Sequence, residues 1–177
     1  ALNNNRLFPS FIMNLNDSDY PVYNTLTHAA ATWPDQLAIA DEYGQLTYEQ
    51  LYEQTELLKN FLVHAGAIPE TGIALITNNS RYFIIGLYAG IGSGCVVMPL
   101  ANYQRPEEVR NALQEARIHY ILSDSPEMAS LGKQVTTISL FSQPLYFAET
   151  GFDKKERTVP FISNVAVMRF TSGTTGN

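Results

Sequence analysis

The sequence has a single cysteine, Cys95, so no disulfide can close within it. Its setting, "GCVVMPL", is apolar and reads as a buried core thiol rather than a nucleophile. Positive charge is also scarce. Lys and Arg number 11 against 17 Asp and Glu, giving a formal net charge of −6 and a pI near 5.0. That balance excludes the basic face a nucleic-acid partner requires. No apolar run is long enough to span a membrane. The first residues lack the basic start, apolar stretch and small-residue cleavage site of a signal peptide, so a cytoplasmic setting is expected. The three histidines, His28, His64 and His119, are far apart, and none shares a metal-like spacing with Cys95 or a carboxylate.

What is present is a globular composition. Apolar residues make up 45% and charged residues 16% of 177, enough for one domain or one and a half that buries roughly 70% of its unfolded surface. "YPVYNTLTHAAATWPD" places Val22, Leu26, Ala29, Ala30 and Trp33 at helical spacing before Pro34. "QLAIADEYGQLTY" reads as two short strands joined by a turn at Glu42-Tyr43-Gly44. From Thr47 to Ala65 a helix is predicted. Thr47 and Gln50 form its capping box, Tyr48, Leu51, Thr55, Leu58, Leu62 and Ala65 its inward stripe, and Gly66 its left-handed stop.

From Gly72 the apolar runs become short and continuous, as in strands buried on both faces. Runs at 73–77, 95–100, 120–124 and 135–140 alternate with helices from Ser80 to about Gly92, from Pro106 through Ala116, and near 126–132. This repetition predicts an α/β fold, a doubly wound parallel sheet flanked by helices. The divisions expected are an amino-terminal segment (1–71), a parallel βαβ core (72–140), an irregular connection (141–163), and a strand with a closing loop (164–177). "DKKER" (153–157) reads as a solvated loop. Asp124, at a strand end, reads as a helix cap. Asn78 and Asn79 stand at another strand end, where ligands gather, and turn chemistry explains them equally well. Tyr82 and Phe83 open a buried helix and read as core or interface residues before substrate contacts.

The last residues, "RFTSGTTGN", follow the strand-like run Val165 to Met168. Doubly wound sheets bind ligands beyond the carboxyl ends of their strands. Gly173 and Gly176 allow the backbone N–H groups to turn inward, while Thr171, Ser172, Thr174 and Thr175 each add a hydroxyl. Such a loop can wrap a polyphosphate. It lacks the Gly-Lys-Ser/Thr of a Walker A loop. At average residue usage TSGTTG arises by chance on the order of once in a hundred thousand chains of this length.

"FTSGTTGN" resembles the phosphate-loop motif of the adenylate-forming (AMP-binding) superfamily. The similarity extends through "WPDQLAIAD", "LTYEQLYEQTELLKNFLVHAG", "GIALITNNSRYFIIGLYAGIGSGCVVMPLANY" and "EEVRNALQEARIHYILSD", roughly Tyr20 to Asn177. The resemblance implies the first lobe of the large amino-terminal domain of a two-step ligase. Such an enzyme joins a carboxylate to the α-phosphorus of MgATP, releasing pyrophosphate, and a thiol, usually coenzyme A, then displaces AMP. By that match Thr171, Ser172, Gly173, Thr174, Thr175 and Gly176 are nucleotide-binding residues, none a general acid or base.

The loop lysine, the adenine, magnesium and ribose segments and the carboxyl-terminal catalytic lysine of the family have no counterpart here. The chain alone is therefore expected to be inactive and to self-associate through an exposed lobe interface. "LANYQRPEEVRNAL" after Pro99 favours an acyl-CoA or aryl-CoA ligase of fatty acid metabolism. The alternatives are a peptide-synthetase adenylation domain and a non-catalytic interaction module. A flavodoxin-like FMN binder is disfavoured, because its phosphate loop follows the first strand and enters a helix.

Overall fold

The structure is a computed structural model that describes residues 20–155, 158 and 165–169. The elements run α1 (Pro21–Thr32), β1 (Leu37–Asp41), β2 (Gly44–Thr47), α2 (Tyr48–His64), β3 (Gly72–Ile76), α3 (Arg81–Gly92), β4 (Val96–Pro99), α4 (Pro106–Glu115), β5 (Tyr120–Ser123), α5 (Pro126–Ala129), β6 (Lys133–Ile138) and β7 (Leu145–Glu149).

The expected parallel core is present. β3 pairs in parallel with β4 on one side and β5 on the other, within a five-stranded sheet of order β4-β3-β5-β7-β6. All five residues of β3 and all four of β5 are buried, which is what continuous apolar runs specify. Period-two alternation sends Ile73 and Leu75 to one face and Ala74 and Ile76 to the other. The first face packs against α1, α2 and α3, the second against α4 and α5.

The sheet departs from the expected pattern after β5. Residues 141–163, read from sequence as an irregular connection, contain β7, which lies antiparallel to both β5 and β6. The run read as a strand at 135–140 is β6, at 133–138, and it pairs with β7 rather than continuing the parallel series. Chain length is the reason. The connection from β5 to β6 holds only the short α5, too little for a parallel crossover, whereas residues 139–144 suffice for a hairpin. Beyond β4, Val167 makes a parallel bridge to Val97, with Val97 N–H donating to Ala166 O (2.9 Å) and Met168 N–H to Val97 O (2.9 Å).

α2 is the helix its sequence specifies. Gln50 N–H donates to Thr47 Oγ1 (3.3 Å), and the Gln50 side chain accepts from Thr47 N–H (3.0 Å). Leu51, Thr55, Leu58 and Leu62 are buried, and Gly66 turns the chain at a φ of 90°. α1 buries Leu26 and half-buries Ala29 and Ala30 of the stripe its spacing predicts, but not the two ends of that stripe. Tyr23 and Leu26 are buried, while Val22 (42%) and Trp33 (45%) are exposed. Tyr23 packs on Gly92, where a Cβ would lie 2.6 Å from its ring. Gly92→Ala is expected to destabilise the fold by about 1–3 kcal/mol through overpacking, measured by urea denaturation.

The β1–β2 hairpin is tied to α3 by a nearly buried ion pair. Arg81 Nε donates to both oxygens of Asp41 (3.0 and 3.1 Å), Nη2 reaches Oδ1 at 2.5 Å, and Arg81 N–H donates to Oδ2 at 2.8 Å. The side chains are 8% and 10% exposed. Arg81's hydrogen bonds hold the Asp41 carboxyl below its ordinary range. A carboxyl lowered on folding adds stability above its unfolded pKa of about 3.9, and loses it as pH falls through the folded value. Asp41→Asn leaves a buried guanidinium without its counter-charge, and is expected to cost on the order of 3 kcal/mol at pH 7. The gap between variant and parent should narrow only below about pH 4, as read from urea denaturation across pH.

Candidate functional site

The site is built by the way the chain leaves its strands. After β3 it passes to α3 on one face; after β4 and β5 it passes to α4 and α5 on the other. Neighbouring strands whose connections part to opposite faces open a crevice at their carboxyl ends. Thr77 and Asn78 enter it from β3, Asn102 and Gln104 from the loop after β4, and Ser123 and Asp124 from β5.

Side-chain hydrogen bonds join the three connections. Asp124 Oδ2 accepts from Asn78 N–H (2.7 Å) and from Asn78 Nδ2 (3.0 Å), and Asn102 Nδ2 donates to Asn78 Oδ1. Ser123 Oγ donates to Ile76 O (2.6 Å) and accepts from Ser125 N–H (3.0 Å). The cap of α5 is Ser125, whose side chain accepts from Met128 N–H. This corrects the reading of Asp124 as a helix cap. Its carboxylate is recruited across the sheet instead, because Asn78 offers it two donors.

The hairpin turn overhangs the same end. Tyr43 packs edge-on to Tyr82, with ring centroids 5.2 Å apart, and Arg81 lies 5.8 Å from the Tyr43 ring. Burial and the negative fields of Glu42 and Asp124 push the Tyr43 phenol above its ordinary pKa. Tyr82 is 2% exposed, as a core residue should be, with its hydroxyl 2.9 Å from Ser142 Oγ.

The phosphate-loop residues, Thr171, Ser172, Gly173, Thr174, Thr175 and Gly176, lie outside the described residues. What is described is the run before them. The parallel bridge at Val167 sets the chain direction, so Arg169 stands on the carboxyl side of that pairing. Of the strand-end polar residues named from sequence, Asn78 and Asp124 are brought together, and Asn79 is exposed. Asn102 joins them through its bond to Asn78, without any sequence signal of its own. The strand-end argument that draws attention to Asn78 applies equally to Asn102, but no spacing rule reveals a pairing across 24 positions.

The other candidates are structural. Cys95 is 2% exposed, and burial raises its thiol pKa, while hydrogen bonds with Ser93 and Thr71 only partly oppose the shift. His64 Nδ1 lies 2.6 Å from Asn60 O at the end of α2. His119 is buried, with its Nδ1 accepting from Gly72 N–H (3.1 Å). Among the described residues no cluster of three His, Cys, Asp or Glu is placed to hold a metal ion. Lys154, in the "DKKER" stretch, is exposed but lies 3.5 Å from Glu149 and 5.5 Å from the Tyr120 ring. No helix among the described residues is long and apolar enough to cross a membrane.

A family model for AMP-binding enzymes matches residues 26–177, and the chain belongs to that family. It is similar to the nonribosomal peptide synthetase easA of Emericella nidulans, 27% identical over 159 residues that cover 90% of this chain and 2% of that protein. It is similar also to bacitracin synthase 3 of Bacillus licheniformis, 26% identical over 161 residues, or 90% of this chain and 2% of that protein. The chain thus spans a small part of the length of these relatives.

Solved structures share the fold. The Klebsiella oxytoca NpsA N-terminal subdomain aligns with a TM-score of 0.56 at 23% identity, over 59% of this chain and 28% of that one. VinN in complex with L-aspartate aligns with a TM-score of 0.59 at 21% identity, over 62% and 28%.

Asp124→Ala removes two of the bonds that hold Asn78 and leaves the one from Asn102. It is expected to cost about 1 kcal/mol and to accelerate hydrogen exchange at Asn78 N–H, read by exchange mass spectrometry on the segment after β3.

Proposed function

We propose that this chain is the amino-terminal part of an adenylation domain of the peptide-synthetase type. A carboxylate oxygen of an amino or other carboxylic acid attacks the α-phosphorus of MgATP, and the bond to the departing pyrophosphate breaks. The resulting acyl-adenylate is attacked at its carbonyl carbon by a carrier-protein thiol, which forms the thioester and releases AMP. The observation that carries this reading is the family match over residues 26–177, together with relatives that are peptide synthetases.

The coenzyme A ligase favoured from "LANYQRPEEVRNAL" shares the first half-reaction and differs in its acceptor. The relatives support a carrier protein in that place, and one structural neighbour is described as an artificially fused adenylation–PCP di-domain. They lend no support to fatty acid metabolism.

In this proposal Thr171, Ser172, Gly173, Thr174, Thr175 and Gly176 cradle the β- and γ-phosphates of MgATP. Their hydroxyl and backbone N–H donors meet the charge that grows on the departing pyrophosphate. The parallel pairing at Val167 supports that role, since it directs the chain toward the carboxyl side of the sheet at Arg169, two residues ahead of Thr171.

The test is ATP–pyrophosphate exchange by the full-length protein with a panel of amino acids and of other carboxylic acids. Exchange with one acid is expected, and Thr174→Val should lower its rate by about a hundredfold. Loading of a carrier-protein thiol in preference to coenzyme A separates the two acceptor readings. No exchange with any acid would reject the proposal.

A further inference from the structure

The amino end of the parallel strands carries a concave surface of its own. β7 runs antiparallel to β5, so the chain that leaves Glu149 emerges beside Tyr120, where β5 begins. α4 ends just before β5, and β6 starts at the same side, with Lys133 opposite Glu149. Thr150 is fastened to this end. Its N–H donates to His119 O (2.9 Å) and its hydroxyl to Ile118 O (2.5 Å). Gly151 then turns the chain at a φ of 98°. Between that turn, α4 and the approach to β6 lies an open pocket of about 230 Å³.

The walls of the pocket have two characters. Leu113, Leu131 and Phe152 are apolar, while Arg110 and Gln114 line it from one flank of α4. Lys133 stands at the rim, since a Cβ on Gly151 would lie 3.3 Å from its ammonium. Among the described residues no carboxylate lines the pocket. Other cations of this chain are matched: Lys59 by Glu56, Arg81 by Asp41, Arg105 by Glu108 and Lys154 by Glu149. Arg110 and Lys133 form no ion pair among the described residues. Nor do the N–H groups of Gly151 and Phe152 donate to any backbone carbonyl there. Two unmatched cations at one pocket stand out in a chain of net charge −6.

This donor set selects its ligand. Arginine and lysine donate and cannot accept, so the pocket calls for acceptors with negative charge. A guanidinium fork matches two oxygens of a carboxylate or phosphate. The apolar walls favour a charged head joined to a hydrocarbon body over a bare ion. At about 30 Å³ per water the pocket has room for about eight, enough for one ring with its head group.

We infer that Arg110, Gln114, Lys133 and the Gly151 turn form a site for a small organic oxyanion, a carboxylate or phosphate ester on an apolar body. It lies on the α4 face, at the opposite end of the sheet from the connections after β3, β4 and β5. Its occupant is therefore an additional ligand rather than a reactant in the adenylation proposed above.

The test is isothermal titration of the full-length protein with phenyl phosphate in one arm and phenylacetate in the other. Saturable binding of at least one is expected, and the tighter of the two names the head group. Arg110→Gln should weaken it by about tenfold, and Lys133→Gln should weaken it by a smaller factor. Arg105→Gln, which removes a cation from the start of the same helix outside the pocket, should leave it unchanged. Arg110 and Lys133 are exposed, so both variants keep the fold, checked by an unchanged urea midpoint. Saturable binding of neither probe would overturn the inference. So would equal constants in Arg110→Gln and parent, or equal losses in Arg110→Gln and Arg105→Gln.

Discussion

The structure depends on β3 being usable from every side. Its N–H and C=O groups bond to β4 and β5, while its side chains alternate between two apolar layers. A strand in that position cannot carry a charge or a proline without leaving a buried group unmatched. "GIALI" meets the condition with small and branched apolar residues only. Gly72 meets it a second way, since a Cβ there would collide with Thr158 Oγ1 and lie 2.7 Å from Ile118 Cδ1. The opening of the strand is thereby held close to the chain that returns from β7.

Centring the sheet on β3 also creates the crevice. Its neighbours β4 and β5 send the chain to the face opposite α3, so the three connections part at their carboxyl ends. Polar side chains take over the work of holding those ends together, with Asp124 bonded to Asn78 and Asn78 to Asn102. The buried Asp41–Arg81 pair fixes the hairpin above them. Ligand chemistry on such a fold therefore belongs to loops that a rigid apolar frame holds in place.

Much of the frame is legible in the residues. The capping box of α2, its buried stripe and its glycine stop appear where Thr47, Gln50 and Gly66 place them, because helix ends are governed by local hydrogen bonds. β3, β4 and β5 are legible as continuous apolar runs. β7 is not. "LYFAE" sits among prolines and charges, and its strand identity comes from pairing with β5 and β6, which no local signal records. The two ends of the α1 stripe mislead for a similar reason. Val22 and Trp33 are apolar at the right spacing, yet it is Tyr23 that packs on Gly92.

The candidate site divides along the same line. The TSGTTG hexapeptide is recognisable in sequence, because its glycines and hydroxyls stand at consecutive positions. The carboxyl-edge network is not, because Asn78, Asn102 and Asp124 come from three connections and acquire meaning only when the sheet brings them together. By itself, then, the sequence determined the helices, the buried parallel strands and the family, since each rests on contacts within a few residues or on a contiguous motif. The tertiary structure alone decided the antiparallel half of the sheet, the burial of Tyr23 on α1 and the partners of Asp124, since each depends on which distant residue the folded chain puts alongside.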